Sequence, residues 1–219
     1  EGSSTDIDAI VIFPDFDART QDNIVYFDNI TLSASTGGGG SGPDSSAPIP
    51  SAKASDVKSI FSDAFDDVAG TDFFPNWSQS TTYEQIDLMG DAAIKYANLN
   101  YQGIAIGSTV DAAGSESIHI DIWSDDYTVV PFFLISAGSG EKKVDLSVEP
   151  NKWNSIDVPL SAFTDQGLTV NDIIQFKFDV QPDNGGTIYI DNLYFQVNDS
   201  GSSASLALPV TFDDADVDY

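Results

Sequence analysis

The chain contains no cysteine and only one histidine, one arginine and one methionine among 219 residues. Without cysteine there is no disulfide framework, no thiolate nucleophile and no Cys-ligated zinc. Positive charge is almost as scarce, with 8 basic side chains against 35 acidic ones and a formal charge of -27. A surface of that sign repels phosphate backbones and anionic lipid, so nucleic acid and membrane surfaces are poor partners. No apolar run approaches the roughly 20 residues of a spanning helix, so no membrane insertion is expected, and no basic-then-apolar export signal opens the chain, which reads as an excised piece. Glutamate is rare as well, at 5 residues against 30 aspartates. Aspartate favours turns and oxygen-ligand cation sites, whereas helix-rich chains prefer glutamate, and the expectation is a loop-rich, all-β protein. What is present suffices for a core, since 41% of residues are apolar and 11% aromatic, unlike a disordered acidic tail.

Two stretches of small and turn-forming residues, Ser33 to Ser55 and Asn198 to Leu206, have linker composition. They divide the chain into residues 1–33, a Gly/Ser/Pro linker at 34–54, a segment at 55–197, a second linker at 198–207, and residues 208–219. The central segment, about 143 residues, has the usual size of a single domain, and the flanks are too short to fold alone. VYFDNITL at Val25–Leu32 nonetheless recurs as IYIDNLYF at Ile188–Phe195, with Tyr26, Asp28 and Asn29 falling on Tyr189, Asp191 and Asn192. Residues 1–33 therefore read as the C-terminal strands of a preceding β-sandwich module. LPVTFDDADVDY at Leu208–Tyr219 reads as the first strand of a following one, in a string of neighbouring modules. The alternative is that the two flanks complete one composite module.

Within the central segment, period-2 runs recur between Gly, Asn, Asp and Ser. They predict strands over Val57–Phe65, Thr82–Leu88, Ala93–Ile106, Ser117–Trp123, Val129–Ser136, Lys143–Val148, Trp153–Leu160, Ile173–Val180 and Thr187–Val197. Helical turns are expected only at Ser161–Phe163 and near Leu168–Asp172. So many short strands argue an antiparallel β-sandwich of the jelly-roll kind. In Ser117–Trp123 the isoleucines Ile118, Ile120 and Ile122 share one face, while His119, Asp121 and Trp123 share the other. In Ile173–Val180, Ile174, Phe176 and Phe178 point inward and Gln175, Lys177 and Asp179 outward. In Tyr83–Leu88, Ile86 and Leu88 are expected inward and Tyr83, Gln85 and Asp87 outward. An outer face that mixes amide, carboxylate and aromatic groups suits a sugar, whose C–H groups stack on a ring and whose hydroxyls meet planar polar groups. Trp77, in the loop DFFPNWSQS, lacks an obvious core partner; Trp123 at a strand end either binds or caps a core edge; Trp153 reads as structural. Tyr96, Asn98, Tyr101 and Gln102 surround an expected bulge in KYANLNYQG, some of them in the core.

Charge supplies the second signal. Residues 55–197 carry 22 acids against 6 lysines and no arginine, a balance of -16 that bound divalent cations would relieve. Ca2+ takes about 6–8 oxygen ligands at roughly 2.3–2.6 Å. Asp191 is the leading ligand candidate, because Asp28 recurs at its repeat position, with Ser62 and Asp63 as natural partners if the first and last strands are neighbours. Otherwise Asp191 and Asn192 only form a turn or cap a bulge. DDADVD at Asp213–Asp218 lacks the glycine and distal glutamate of an EF-hand loop.

DVKSIFSDAFDDVAGTDFFPNWSQST, KYANLNYQG, SIHIDIW, WNSIDVPLSAF and IIQFKFD with IYIDNLYF together resemble the β-sandwich carbohydrate-binding modules appended to laminarinases and surface glycan-binding proteins of marine Bacteroidetes. The resemblance spans nearly all of residues 55–197. It implies a jelly roll, a structural Ca2+ between terminal strands, a secreted or outer-surface location, and binding of a β-glucan such as laminarin. It also carries binding onto Trp77, Tyr96, Gln102 and Trp123, while the metal candidates remain Asp63 and Asp191 as read from charge and strand placement. The absence of arginine from this segment argues against uronate or sulfated glycans, whose recognition recruits bidentate guanidinium groups, and favours a neutral polysaccharide. Catalysis is not expected. A glycosidase needs paired carboxylates about 5–5.5 Å or about 6.5–9.5 Å apart, and the five glutamates form no compact paired motif. The one histidine, His119, lies mid-strand without a serine-bearing elbow. The competing expectation is a calcium-stabilised spacer or adhesion module without glycan affinity.

Overall fold

Short alternating runs become strands in the computed structural model, which describes residues 42–197. In chain order these are β1 (Val57–Phe61), β2 (Thr82–Asp87), β3 (Ala92–Ala97), β4 (Tyr101–Val110), β5 (Ser117–Trp123), β6 (Val129–Ser136), β7 (Gly140–Ser147), β8 (Trp153–Pro159), β9 (Ile173–Asp179) and β10 (Ile188–Gln196). A single helical turn, α1 (Ser161–Thr164), links β8 to β9, and a 3-10 turn at Ala54–Asp56 precedes β1. The strands read into residues 1–33 and 208–219, and the repeat position Asp28, lie outside the described residues.

All pairings are antiparallel and form two sheets. One runs β2-β3-β10-β5-β8 with β1 also on β10, and the other runs β4-β9-β6-β7. Apart from β1 and β2, the chain passes β3 to one sheet and β4 to the other, and the last strand, β10, returns beside the first, β3. Likewise β9 returns beside β4. That double Greek-key winding is a jelly roll. The core lies between the sheets: Ile94, Ile118, Ile120, Ile122, Ile188 and Ile190 from one meet Ile104, Phe132, Leu134, Phe176 and Phe178 from the other, all fully buried. Phe132 stacks on Phe176 at a centroid distance of 5.6 Å.

The expected strand at Ala93–Ile106 is two strands. Asn98 adopts a left-handed φ of 51°, a conformation asparagine tolerates better than most residues, and the chain crosses there from β3 in one sheet to β4 in the other. Residues Leu168–Asp172 form no helix. On β2, Tyr83 rather than Ile86 turns to the core, where it meets Tyr96 at 5.9 Å. The region 34–54 is also not wholly a linker. Its described part, from residue 42, lies as a strap on the outer face of the six-stranded sheet, where Trp153 Nε1–H donates to Ser45 O (2.9 Å) and Asn192 Nδ2–H donates to Pro48 O (3.1 Å). Ala47 is buried in that contact.

β10 gives one edge to two strands. Its first half pairs with β3 (Ile188↔Tyr96, Ile190↔Ile94) and its second half with β1 (Val57↔Gln196, Phe61↔Leu193). The junction carries a bulge, with the register broken between Asp191 and Tyr194 and Asn192 at φ 50°. Thus the first and last strands are neighbours, and Asp191 sits where β1 ends and β3 begins.

Candidate functional site

The outer face of the four-stranded sheet is open. In register across it lie Gly103, Lys177, Phe133 and Lys143, and beside that row Ala105, Gln175, Ile135 and Glu141. Strand alternation puts these residues outward because Gln102, Ile104, Phe132, Leu134, Phe176 and Phe178 are buried on the other side. A groove of about 550 Å³ runs over this face, lined by Trp77, Tyr101, Ile135, Glu141, Gln175, Lys177, Asp179 and Gln181 among others.

Trp77 comes from the loop before β2 and lies on Gly103. A methyl group built on Gly103 would fall within the benzo ring, nearly equidistant from Cη2, Cζ3 and Cζ2. An edge approach would bring one ring atom much closer than its neighbours, so the indole rests with its face on the sheet and turns its other face outward. Several bonds fix the loop. Tyr101 O–H donates to Trp77 O (2.8 Å), Trp77 N–H donates to Gln79 Oε1 (2.7 Å), and Ser78 takes φ 65°. Gln79 Nε2–H donates to Pro75 O (2.9 Å) and to Gln102 Oε1 (3.0 Å). Beside the ring, Lys177 Nζ pairs with Glu141 (2.8 Å) and approaches Asp179 (3.8 Å).

Of the residues read from the sequence, Trp77 lies in this groove and Gln102 lies beneath it. Gln102 is fully buried, donating from Nε2 to Gly103 O (2.8 Å) and accepting from Gln79. It supports the Trp77 loop rather than facing a ligand. Tyr96 and Trp123 are corrections. Tyr96 points between the sheets, fully buried, with its ring 6.3 Å from Phe178 and its hydroxyl donating to Phe73 O (2.5 Å). Burial raises its phenol pKa well above the usual value. Trp123 does point outward from β5, but onto the face that the strap covers. It is 4% exposed and meets Tyr189 edge-on at 5.4 Å. Phe133 and Ile135 escaped sequence reading because both faces of VVPFFLIS are apolar, so alternation carries no signal there.

The acidic residues expected to hold a metal gather at the β10 bulge. Asp191 is buried and its pKa is pushed up to about 8, first by burial and then by the charges of Asp91, Asp121 and Asp63, against a lowering bond from Asn192 N–H. Asp91, just before β3, has its pKa raised by burial and by the charge of Asp63. Asp63 Oδ2 accepts from Ala92 N–H (2.7 Å), tying the end of β1 to β3. Asn192 Oδ1 accepts from Ser62 (2.7 Å). The donor set is all oxygen, as a hard cation requires. As they stand, no three or more His, Asp or Glu side chains converge on one metal position among the described residues.

A second cavity of about 510 Å³ lies between the strap and β5, β8 and β10, lined by Asp56, His119, Asp121, Asp157 and Tyr194 among others. His119 Nδ1 bonds Asp157 (2.7 Å), its Nε2 lies 3.6 Å from Asp121, and its ring stacks on Tyr194 at 4.8 Å. His119 is engaged there on both ring nitrogens and on its ring face, whereas the groove on the other sheet offers the Trp77 face, which stacks on no other ring among the described residues.

The fold defines the protein as an antiparallel β-sandwich of jelly-roll topology. No protein-family model matches the sequence, and no curated protein does. Among solved structures, the family 11 carbohydrate-binding module of the cellulase Lic26A-Cel5E of Clostridium thermocellum aligns at TM-score 0.47 and 14% identity, over 64% of this chain and 94% of that one. The module from the same organism in complex with a β-1,3-1,4-mixed-linked tetrasaccharide aligns at 0.45 and 16%, over 65% and 95%. A substituted form of a family 29 carbohydrate-binding module aligns at 0.45 and 14%, over 64% and 89%. Likeness at this level assigns neither family nor ligand.

Proposed function

We propose that this chain is a non-catalytic carbohydrate-binding module that holds a multimodular secreted or cell-surface protein on a neutral polysaccharide, a β-1,3-glucan such as laminarin. One observation carries the reading: the Trp77 indole lies flat on Gly103 with its other face open in a groove whose rim is amide, phenol and ion-paired carboxylate. A ring face meets sugar C–H groups, and Gln175, Gln181 and Tyr101 supply hydrogen-bonding groups around it. The two carboxylates in the groove, Glu141 and Asp179, both engage Lys177. Affinity electrophoresis of the whole chain through laminarin, mixed-linkage glucan, xylan, mannan and alginate tests this. Retardation by one neutral glucan, lost in Trp77→Ala, is expected; migration unchanged in every gel from a folded protein would sink the reading.

We also propose that Ca2+ binds structurally at Asp63 and Asp191, with Asp91 as third carboxylate. The buried Asp191 carboxyl, whose ionised form is opposed by burial and by neighbouring carboxylates that a cation would offset, supports it, and the carboxylates must turn toward a common point to take the ion. The same observation favours the spacer as the second reading. That reading expects calcium to raise the melting temperature and no gel to retard the chain.

A further inference from the structure

We propose that Phe133 is a second sugar platform in line with Trp77, and that Lys177 is the specificity-determining side chain that covers it until a glycan spanning β9 displaces the ammonium. The inference rests on the glycan reading above. Gly103 pairs with Lys177, and Lys177 with Phe133, so the indole on Gly103 and the Phe133 ring lie on one line across β4, β9 and β6. Two strand spacings separate them, about 9–10 Å, which is roughly the reach of two linked pyranoses. A glycan lying across the strands therefore stacks one unit on Trp77 and the next but one on Phe133, with the intervening unit above Lys177.

In the free protein the second position is shut. Lys177 Nζ stands 3.9 Å from the Phe133 ring centroid, anchored by Glu141 at 2.8 Å. The lysine lines the groove while the ring lies under it. An ammonium over an aromatic face occupies the position that sugar C–H groups would take. A disaccharide reaches only Trp77 and leaves Lys177 in place. A chain of three or more units reaches both rings and exchanges the cation contact for a stacked sugar, while Lys177 keeps Glu141 and Asp179 as partners beside it. The site thereby favours longer chains.

Titration calorimetry of the whole chain with laminaribiose and laminarihexaose tests the proposal. Lys177→Ala is expected to tighten laminarihexaose by about five- to thirtyfold, the worth of a largely desolvated cation–ring contact, and by clearly more than it changes laminaribiose. Phe133→Leu, which keeps apolar volume without a ring face, is expected to weaken laminarihexaose toward the disaccharide. In the doubly substituted chain the gain from Lys177→Ala is expected to vanish. Hexaose affinity unaffected by Phe133→Leu, or a Lys177→Ala gain that persists without the ring, would overturn the proposal while leaving a Trp77-dependent glycan site standing. If neither sugar binds the parent chain and Trp77→Ala changes nothing, the glycan reading and this inference fall together.

Discussion

Gly103 decides whether Trp77 can be a platform, since any side chain there would stand where the indole lies. Gly103→Ala should therefore lift the ring off the sheet. The strand tolerates alanine at this position, so the expected outcome is lost glucan retardation in affinity gels with the far-ultraviolet circular dichroism unchanged. Gln102 acts one step further back, through Gln79. Gln102→Met leaves Gln79 Nε2–H and Gly103 O short of a partner, costing about 1–3 kcal/mol. If Gln102 positions Trp77, retention by the still-folded protein weakens as well; a purely structural role would lower only the melting temperature. His119 belongs to a different chemistry. Burial pulls its imidazole pKa down, but the bonds and charges of Asp121 and Asp157 outweigh it and raise the net value above the ordinary one. The folded chain thus binds the proton more tightly than the unfolded one. That contribution is complete below about pH 6.5 and is lost as pH rises through the folded value. His119→Gln should flatten the fall in melting temperature over that window, and an unchanged slope would show that His119 contributes nothing to it.

At the scale of elements, alternation was enough to place most strands, because strands such as β5 and β9 present a clear apolar face to a core and are bounded by turn residues. The same signal could not say what lies on the other face. His119, Asp121 and Trp123 look like an exposed surface in SIHIDIW, yet the strap from residue 42 closes over them, and that contact spans more than a hundred residues of sequence. The groove was half legible. Trp77 and the outward Gln175, Lys177 and Asp179 could be read from loop position and alternation, whereas Phe133 could not, because Val, Phe, Leu and Ile alternate only with one another along β6. Tyr96 and Gln102 were misplaced because the crossover at Asn98 reverses which neighbours face the core. The strap itself gives a test. Trp153→Phe keeps the packing ring and removes the bond to Ser45, which should cost about 0.5–1.5 kcal/mol. Hydrogen exchange of residues 45–53 should quicken while β5 and β10 stay protected; uniform exchange changes would mean that the strap is no separate unit.

Over the whole molecule, excess negative charge opposes compactness, and the balance of -16 across residues 55–197 is a standing cost. Simple salt screens exposed charges that lie farther apart than a Debye length, about 8 Å at physiological ionic strength, but it reaches the buried Asp191 poorly. A site-bound cation acts differently, because it binds the folded chain alone and stabilises by mass action, by about 2.7 kcal/mol at a hundredfold excess over its Kd. Two curves separate these effects. Millimolar Ca2+ should raise the melting temperature beyond NaCl of equal ionic strength, and a chelator should reverse the rise. Asp191→Asn should abolish that calcium-specific increment. In chelator the variant should melt above the parent, since an amide replaces a carboxylate whose ionised form is opposed by burial and by Asp91, Asp121 and Asp63. Calcium and NaCl acting alike on both proteins would leave the bulged junction of β1, β3 and β10 as a fold feature held by Ser62, Asn192 and Asp63 alone.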